Sequence, residues 1–159
     1  KSILMGLQNL LTSDSVILNV KVRCKREALS LLADRAAELT GLSAETIRDA
    51  LLEREQLGST GVGDGVALPH GKIDGLSKIT GVLARLDEPV DFDAVDEQPV
   101  DLLFLLLAPS EATAAHLKAL AKVSRLLRDE QMREALRGAD TAEALFAAAT
   151  SDNPHSDAA

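Results

Sequence analysis

Cysteine occurs once in this chain, at Cys24, so no intramolecular disulfide can form. A lone thiol is compatible with a reducing compartment, and a cytoplasmic location is expected. Cys24 itself reads as a semi-buried small residue rather than a nucleophile. Positive charge is also scarce: 17 Lys and Arg stand against 25 Asp and Glu, a formal net charge of −8. Non-specific nucleic-acid binding and docking on anionic lipid both need clustered cations, so neither partner is expected. Long apolar runs are missing too. The longest, Leu102 to Ala108, is strand length, against the roughly 18–20 residues of a membrane span. Lys1 to Leu11 is short and amphipathic, without the apolar stretch or small-residue cleavage site of a secretory signal. Two chemical signatures are absent as well: the His-Glu-x-x-His pair of zinc proteases and the Gly-x-Ser-x-Gly elbow of acyl hydrolases.

What is present suits a folded globule. The chain has 159 residues, of which 46% are hydrophobic. Residues 1–150 read as one domain, and 151–159, small and polar and including His155, as a frayed tail. Ser15 to Val22 alternates as a strand. Lys25 to Leu39 has helical spacing and ends at Gly41; Ser43 N-caps a second helix running to about Leu57 and closed by Gly58. Ile79 to Leu86 and Val100 to Ala108 read as strands, the latter apolar almost throughout and therefore expected to be covered on both faces. Pro89, Pro99 and the carboxylates Asp87, Glu88, Asp91, Asp93, Asp96 and Glu97 mark a solvated connection between them. That segment lacks the ligand and glycine spacing of a calcium loop. Helices follow over Thr113–Leu127, Glu130–Arg137 and Thr141–Ala149. The order predicts an α/β protein whose sheet is buried between helices on both faces.

Gly58-Ser59-Thr60-Gly61-Val62-Gly63-Asp64-Gly65 is a glycine-punctuated loop, and Val66-Ala67-Leu68-Pro69-His70-Gly71-Lys72 follows it. Alternation puts Val66, Leu68 and His70 on one face. Pro69 restrains the backbone just before the histidine, and Gly71 leaves its ring unscreened and tolerates a turn there. The spacing fits an aimed, open imidazole and equally a histidine that caps a strand. Arg54 falls on the apolar face of its helix, three residues after Leu51. A guanidinium there needs an anionic partner: a carboxylate such as Glu53, Glu55 or one from the acidic segment, or a bound phosphate. His116 begins a stripe with Leu120, Val123 and Leu127 near a helix N-terminus, where the helix dipole favours a neutral ring. His70, His116 and Asp64 could make a zinc set, but Arg54 would oppose a dication. A phosphohistidine site needs a nucleophilic imidazole, donors for phosphoryl oxygens and little water. Backbone N–H groups of the Gly58–Gly65 loop and a Pro69–Lys72 turn would add to such a cradle, with Ser59, Thr60, Gly61 and Gly71 as candidates.

At these residues the chain resembles the phosphotransferase-system IIA proteins of the fructose/mannitol superfamily, above all the nitrogen-regulatory branch. The resemblance runs from about Leu10 to Ala149. It is carried by Arg54-Glu55-Gln56-Leu57-Gly58-Ser59-Thr60-Gly61, by the His70 segment, by the run Phe92 to Phe104 and by His116-Leu117. It implies a mixed sheet of about five strands between helices, His70 as the phosphorylated residue, and Arg54 and His116 as its neighbours. It implies no metal or organic cofactor. The donor would be an HPr-like phosphocarrier, and the targets would be regulated proteins such as potassium transporters or sensor proteins. Asp64 stands where the family more often has asparagine, which would add negative charge near the site. Two other readings remain open: a sugar-specific transport IIA, and a protein-binding module whose histidines are structural.

Overall fold

The computed structural model describes residues 7–151, so the expected tail, apart from Ser151, lies outside the described residues. After a 3-10 turn at Ser13–Ser15 the elements are β1 (Val16–Val20), α1 (Lys25–Thr40), α2 (Ala44–Gln56), β2 (Gly61–Gly63), β3 (Val66–Ala67), β4 (His70–Ile73), β5 (Thr80–Val90), β6 (Val100–Pro109), α3 (Thr113–Arg128), α4 (Glu130–Gly138) and α5 (Ala142–Thr150). The helix punctuation works as the sequence predicts. Gly41 closes α1 in the left-handed region at φ 77°, its N–H on the Ala37 carbonyl. The Ser43 hydroxyl accepts from the Thr46 N–H at the start of α2.

The sheet is mixed, in the order β1-β5-β6-β3-β2, with β4 also on β6. β5 and β6 are antiparallel; β1–β5, β3–β6 and β4–β6 are parallel. Six strands therefore fill five positions, because β3 and β4 lie end to end along one flank of β6. β6 divides the core. Leu103, Leu105 and Leu107 pack with Leu29, Leu32 and Leu51 on the α1–α2 side. Leu102, Phe104 and Leu106 pack with Val123, Leu136 and Leu145 on the α3–α5 side. This is the central strand covered on both faces that an unbroken apolar run implies.

Three expectations need correction. The acidic segment is not simply a solvated connection. β5 runs on through Asp87, Glu88 and Pro89 to Val90 after a register irregularity, and Phe92 and Ala94 are buried beyond it. Ala94 lies so close to Gly61 that a Cβ there would sit 2.8 Å from the Ala94 Cβ, which is why glycine is required. Cys24 is exposed rather than semi-buried, because it stands at the N-cap of α1 with an extended backbone. No turn follows His70: Gly71 and Lys72 continue β4, paired with Leu107 and Ala108.

Candidate functional site

The break between β3 and β4 builds the site. Pro69 has no N–H to give a ladder, so strand pairing stops at Ala67 and resumes at His70. Across the gap the Leu68 N–H turns to the Thr60 carbonyl at 2.9 Å, while the Pro69 carbonyl accepts from Leu106. The Leu68 carbonyl lies 2.8 Å from Nδ1 of His70. That nitrogen therefore carries the ring proton, and Nε2 presents its lone pair. Nε2 accepts from Nε of Arg54 at 3.3 Å. The second face of the guanidinium is held by Nη1, which donates to the Gly58 carbonyl at 2.9 Å.

His116 reaches the same place from the first turns of α3. The two imidazoles meet edge to face, with centroids 5.5 Å apart. His116 is buried, at 6% exposure, and its Nε2 is buried without a hydrogen-bond partner among the described residues. Such orphaned polar atoms are uncommon in folded proteins and point to a group that completes them. Both rings are pushed below the ordinary histidine value of about 6.5. For His70 the main cause is burial, opposed by the Leu68 carbonyl; the Arg54 charge lowers it further and Glu55 raises it. For His116 the cause is burial, then His70 and Lys72. Both imidazoles are thus biased toward the neutral form, His70 anchored at Nδ1 on the Leu68 carbonyl and His116 with Nε2 unpartnered among the described residues.

A cleft of about 560 Å³ opens over these groups. Thr113 lines it from the first turn of α3, where no side chain caps the helix start and the first N–H groups have no intrahelical acceptor. Leu57 and Leu117 form its apolar rim, at 83% and 63% exposure. Lys72 stands beside His70's face of β4, its ammonium on the Thr113 hydroxyl at 2.9 Å.

The structure brings together Arg54, His70, Gly71 and His116. It places Ser59, Thr60 and Gly61 outside the cleft lining, with both hydroxyls and the Thr60 and Gly61 N–H groups engaged. The Ser59 hydroxyl donates to the Phe92 carbonyl and accepts from the Gly61 N–H, and both donors of Thr60 go to Glu55. These three residues hold the loop rather than present N–H groups to the cleft. Arg54 forms no ion pair with a carboxylate among the described residues, and it is Glu55, not Arg54, that continues the buried stripe Ile47–Leu51–Glu55 of α2. The i, i+4, i+8 spacing carried that signal. Asp64 lies at the other end of the interrupted strand, with Arg133 and Arg137, and so adds no charge beside His70 and does not converge with the histidines. Its φ of 59° lies in the left-handed region, which aspartate tolerates better than most side chains. Among the described residues no three His, Cys, Asp or Glu side chains are grouped to hold a metal ion.

One cleft thus gathers two imidazoles biased toward the neutral form and a guanidinium that has no carboxylate partner among the described residues, and the comparisons give the class of protein. Residues 9–151 match the family described as "Phosphoenolpyruvate-dependent sugar phosphotransferase system, EIIA 2", and the chain belongs to it. It is 50% identical over 142 residues to a nitrogen regulatory protein of Bradyrhizobium diazoefficiens, covering 89% of this chain and 93% of that one. A fructose-specific EIIA component of Haloferax volcanii is 42% identical over 118 residues, 74% of this chain and 77% of the other. The crystal structure of nitrogen regulatory protein IIA-Ntr from Neisseria meningitidis superposes with a TM-score of 0.85 at 36% identity, over 91% of this chain and 99% of that chain. No helix among the described residues is long and apolar enough to cross a membrane.

Proposed function

We propose that the protein is a phosphohistidine-carrying regulator of the nitrogen branch of the phosphotransferase system, accepting a phosphoryl group on Nε2 of His70. The carrying observation is the His70 ring itself: Nδ1 is tied to the Leu68 carbonyl, and Nε2 is left beside Arg54 at a cleft. An HPr-like phosphocarrier is the donor. Its protonated phosphohistidine gives up phosphorus in line; the N–P bond to the donor ring breaks as the bond to Nε2 forms, and the donor leaves as neutral imidazole. The acceptor ring keeps Nδ1–H on Leu68 and takes up the equivalent positive charge. Arg54 exchanges its long 3.3 Å contact with Nε2 for the equatorial phosphoryl oxygens. His116 supplies the further contact that its unpartnered Nε2 now lacks. The Gly71 backbone, Thr113 and the start of α3 complete the cradle. No metal or organic cofactor takes part in this scheme.

The phosphorylated and bare forms would then be read by target proteins, such as a potassium transporter or a sensor protein, docking on the rim of Leu57 and Leu117. An exposed thiol at Cys24 fits the cytoplasm. The likeness to nitrogen regulatory proteins at 50% over 142 residues supports the regulatory reading. The 42% match to a fructose-specific component supports a second, transport reading. The test is phosphorylation from phosphoenolpyruvate through enzyme I and the carrier, in wild type and His70→Ala. Label on wild type and none on a folded His70→Ala is expected; label retained by the variant overturns the assignment. Onward transfer to a sugar-permease domain would instead select the transport reading.

A further inference from the structure

Arg54 and Glu55 are adjacent in α2 and have opposite surroundings. Glu55 occupies a stripe position where an apolar residue would pack, its side chain 6% exposed, and it sits in the last turn, where the helix dipole disfavours a carboxylate. A buried charge there persists only if it is fully partnered. It is. Oε2 accepts from the Thr60 N–H at 2.9 Å and from Lys25 Nζ at 3.2 Å, and Oε1 from the Thr60 hydroxyl at 2.7 Å. Lys25 is itself braced over the Phe92 ring at 5.2 Å.

These bonds clamp the far end of a short turn whose near end is the helix terminus, where the Gly58 N–H reaches the Glu55 carbonyl. Between the two anchors the Gly58 carbonyl is fixed, and that carbonyl is what Nη1 of Arg54 docks on. With one edge of the guanidinium held there, Nε is directed at Nε2 of His70. A carboxylate filled by Thr60 and Lys25 also does not draw the neighbouring guanidinium away.

We propose that Glu55 is a positioning residue for phosphoryl transfer, acting through the Gly58–Thr60 turn to hold Arg54 in register with His70. The inference rests on the phosphoacceptor role of His70 proposed above. Its signature is non-additivity. With the HPr-like donor saturating, Glu55→Gln should slow single-turnover transfer about 10-fold while leaving the donor concentration for half-maximal rate nearly unchanged, and Arg54→Ala should slow it on the order of 10²-fold. The double variant should be no slower than Arg54→Ala alone, because the two act as one unit. Thr60→Val should shift the rate in the same direction, and Thr60→Ser, which keeps the hydroxyl, should recover it. In the unphosphorylated protein the Arg54 Nε–H NMR signal, protected by its bond to His70, should weaken in Glu55→Gln and Thr60→Val and persist in Thr60→Ser. Melting temperatures recorded alongside separate this from general destabilisation. Rate losses that multiply in the double variant, or an unaltered Arg54 Nε–H signal in Glu55→Gln, would overturn the role of Glu55. Absence of any transfer to wild type would overturn the phosphoacceptor reading itself, while the NMR comparison still judges the clamp.

Discussion

The two ends of the interrupted strand along β6 are built from similar residues and organised in opposite ways. At the β3 end Asp64, Asp96, Asp101, Arg133 and Arg137 all have partners. Arg137 meets both oxygens of Asp101 and donates to the Asp64 carbonyl at 2.7 Å. Arg133 approaches Asp64 at 3.8 Å, and the Asp64 N–H is received by Asp96, whose carboxyl is held below the usual range by that bond and one from Gln98. At the β4 end, among the described residues, Arg54 has a ring nitrogen and a carbonyl and His116 Nε2 has no partner. Val66 pairs with Leu102 and His70 with Leu106, so the two ends are separated by about 13 Å at roughly 3.3 Å per residue. Satisfied polarity holds a hairpin in place. Unsatisfied polarity leaves a lone pair or a donor at the cleft without a partner among the described residues.

The contrast is sharpest in a pair of substitutions. His70→Ala should lose all phosphorylation and keep its fold, whereas Arg137→Ala should keep phosphorylation and lose stability by about 1 kcal/mol, a modest figure because the pair is partly solvated. Phosphate incorporation and chemical denaturation on both variants check this; loss of label in Arg137→Ala would mean the two ends are coupled.

Arg54→Lys comes next in size. The charge survives, but an ammonium cannot touch the Gly58 carbonyl and a phosphoryl group with one rigid plane. Transfer should slow by about 10²-fold, read as a single-turnover rate. An unchanged rate with a lower melting temperature would move Arg54 to the structural side of the comparison.

A smaller effect concerns partners. A phosphoryl group adds about −1.5 to −2 charge at the rim of Leu57 and Leu117. His70→Glu imitates part of that charge. A target of the unphosphorylated form should bind this variant several-fold more weakly, by calorimetric titration, through repulsion and desolvation rather than refolding. Equal affinity for wild-type, phosphorylated and variant protein would place the switch elsewhere.

The smallest effect is on pH dependence. Burial lowers both ring pKa values in the folded state. In the unfolded chain the rings protonate near 6.5. Between that value and the lower folded ones, the unfolded state binds more protons, so stability falls as pH falls through this window and levels off below it. Ring titration by NMR should give midpoints below 6.5 for both histidines, and His116→Gln should flatten the melting profile between pH 7 and 5. A His70 midpoint at or above 6.5 would show that the Leu68 carbonyl outweighs burial.

Much of the fold follows from local chemistry. Gly41 and Ser43 set the α1–α2 boundary because a left-handed C-cap and a hydroxyl N-cap are properties of single residues. Leu102–Ala108 declares a two-sided strand because an unbroken apolar run has no face to offer water. The alternation of Val66, Leu68 and His70 survives as well: the two apolar residues join the α3–α5 side of the core and His70 meets His116 of α3 on that face.

Partner choice was not legible in that way. The sequence placed Arg54 inward and left its partner open among nearby carboxylates; the fold gave Glu55 to Thr60 and Lys25 and Arg54 to His70. The glycine loop promised backbone donors, and tertiary contacts with Phe92 and Glu55 engaged them. Asp64 is six residues from His70 in sequence yet belongs to the opposite end of the strand. Local rules act over a few residues of one chain segment, so the sequence by itself determined the helices, the two long strands up to Leu86 and from Val100, the caps at Gly41 and Ser43, and the histidine worth attention. Hydrogen bonds between elements depend on how the sheet edge and three helices approach one another, so only the tertiary structure decided which polar groups were satisfied and left His116 Nε2, among the described residues, buried without a partner.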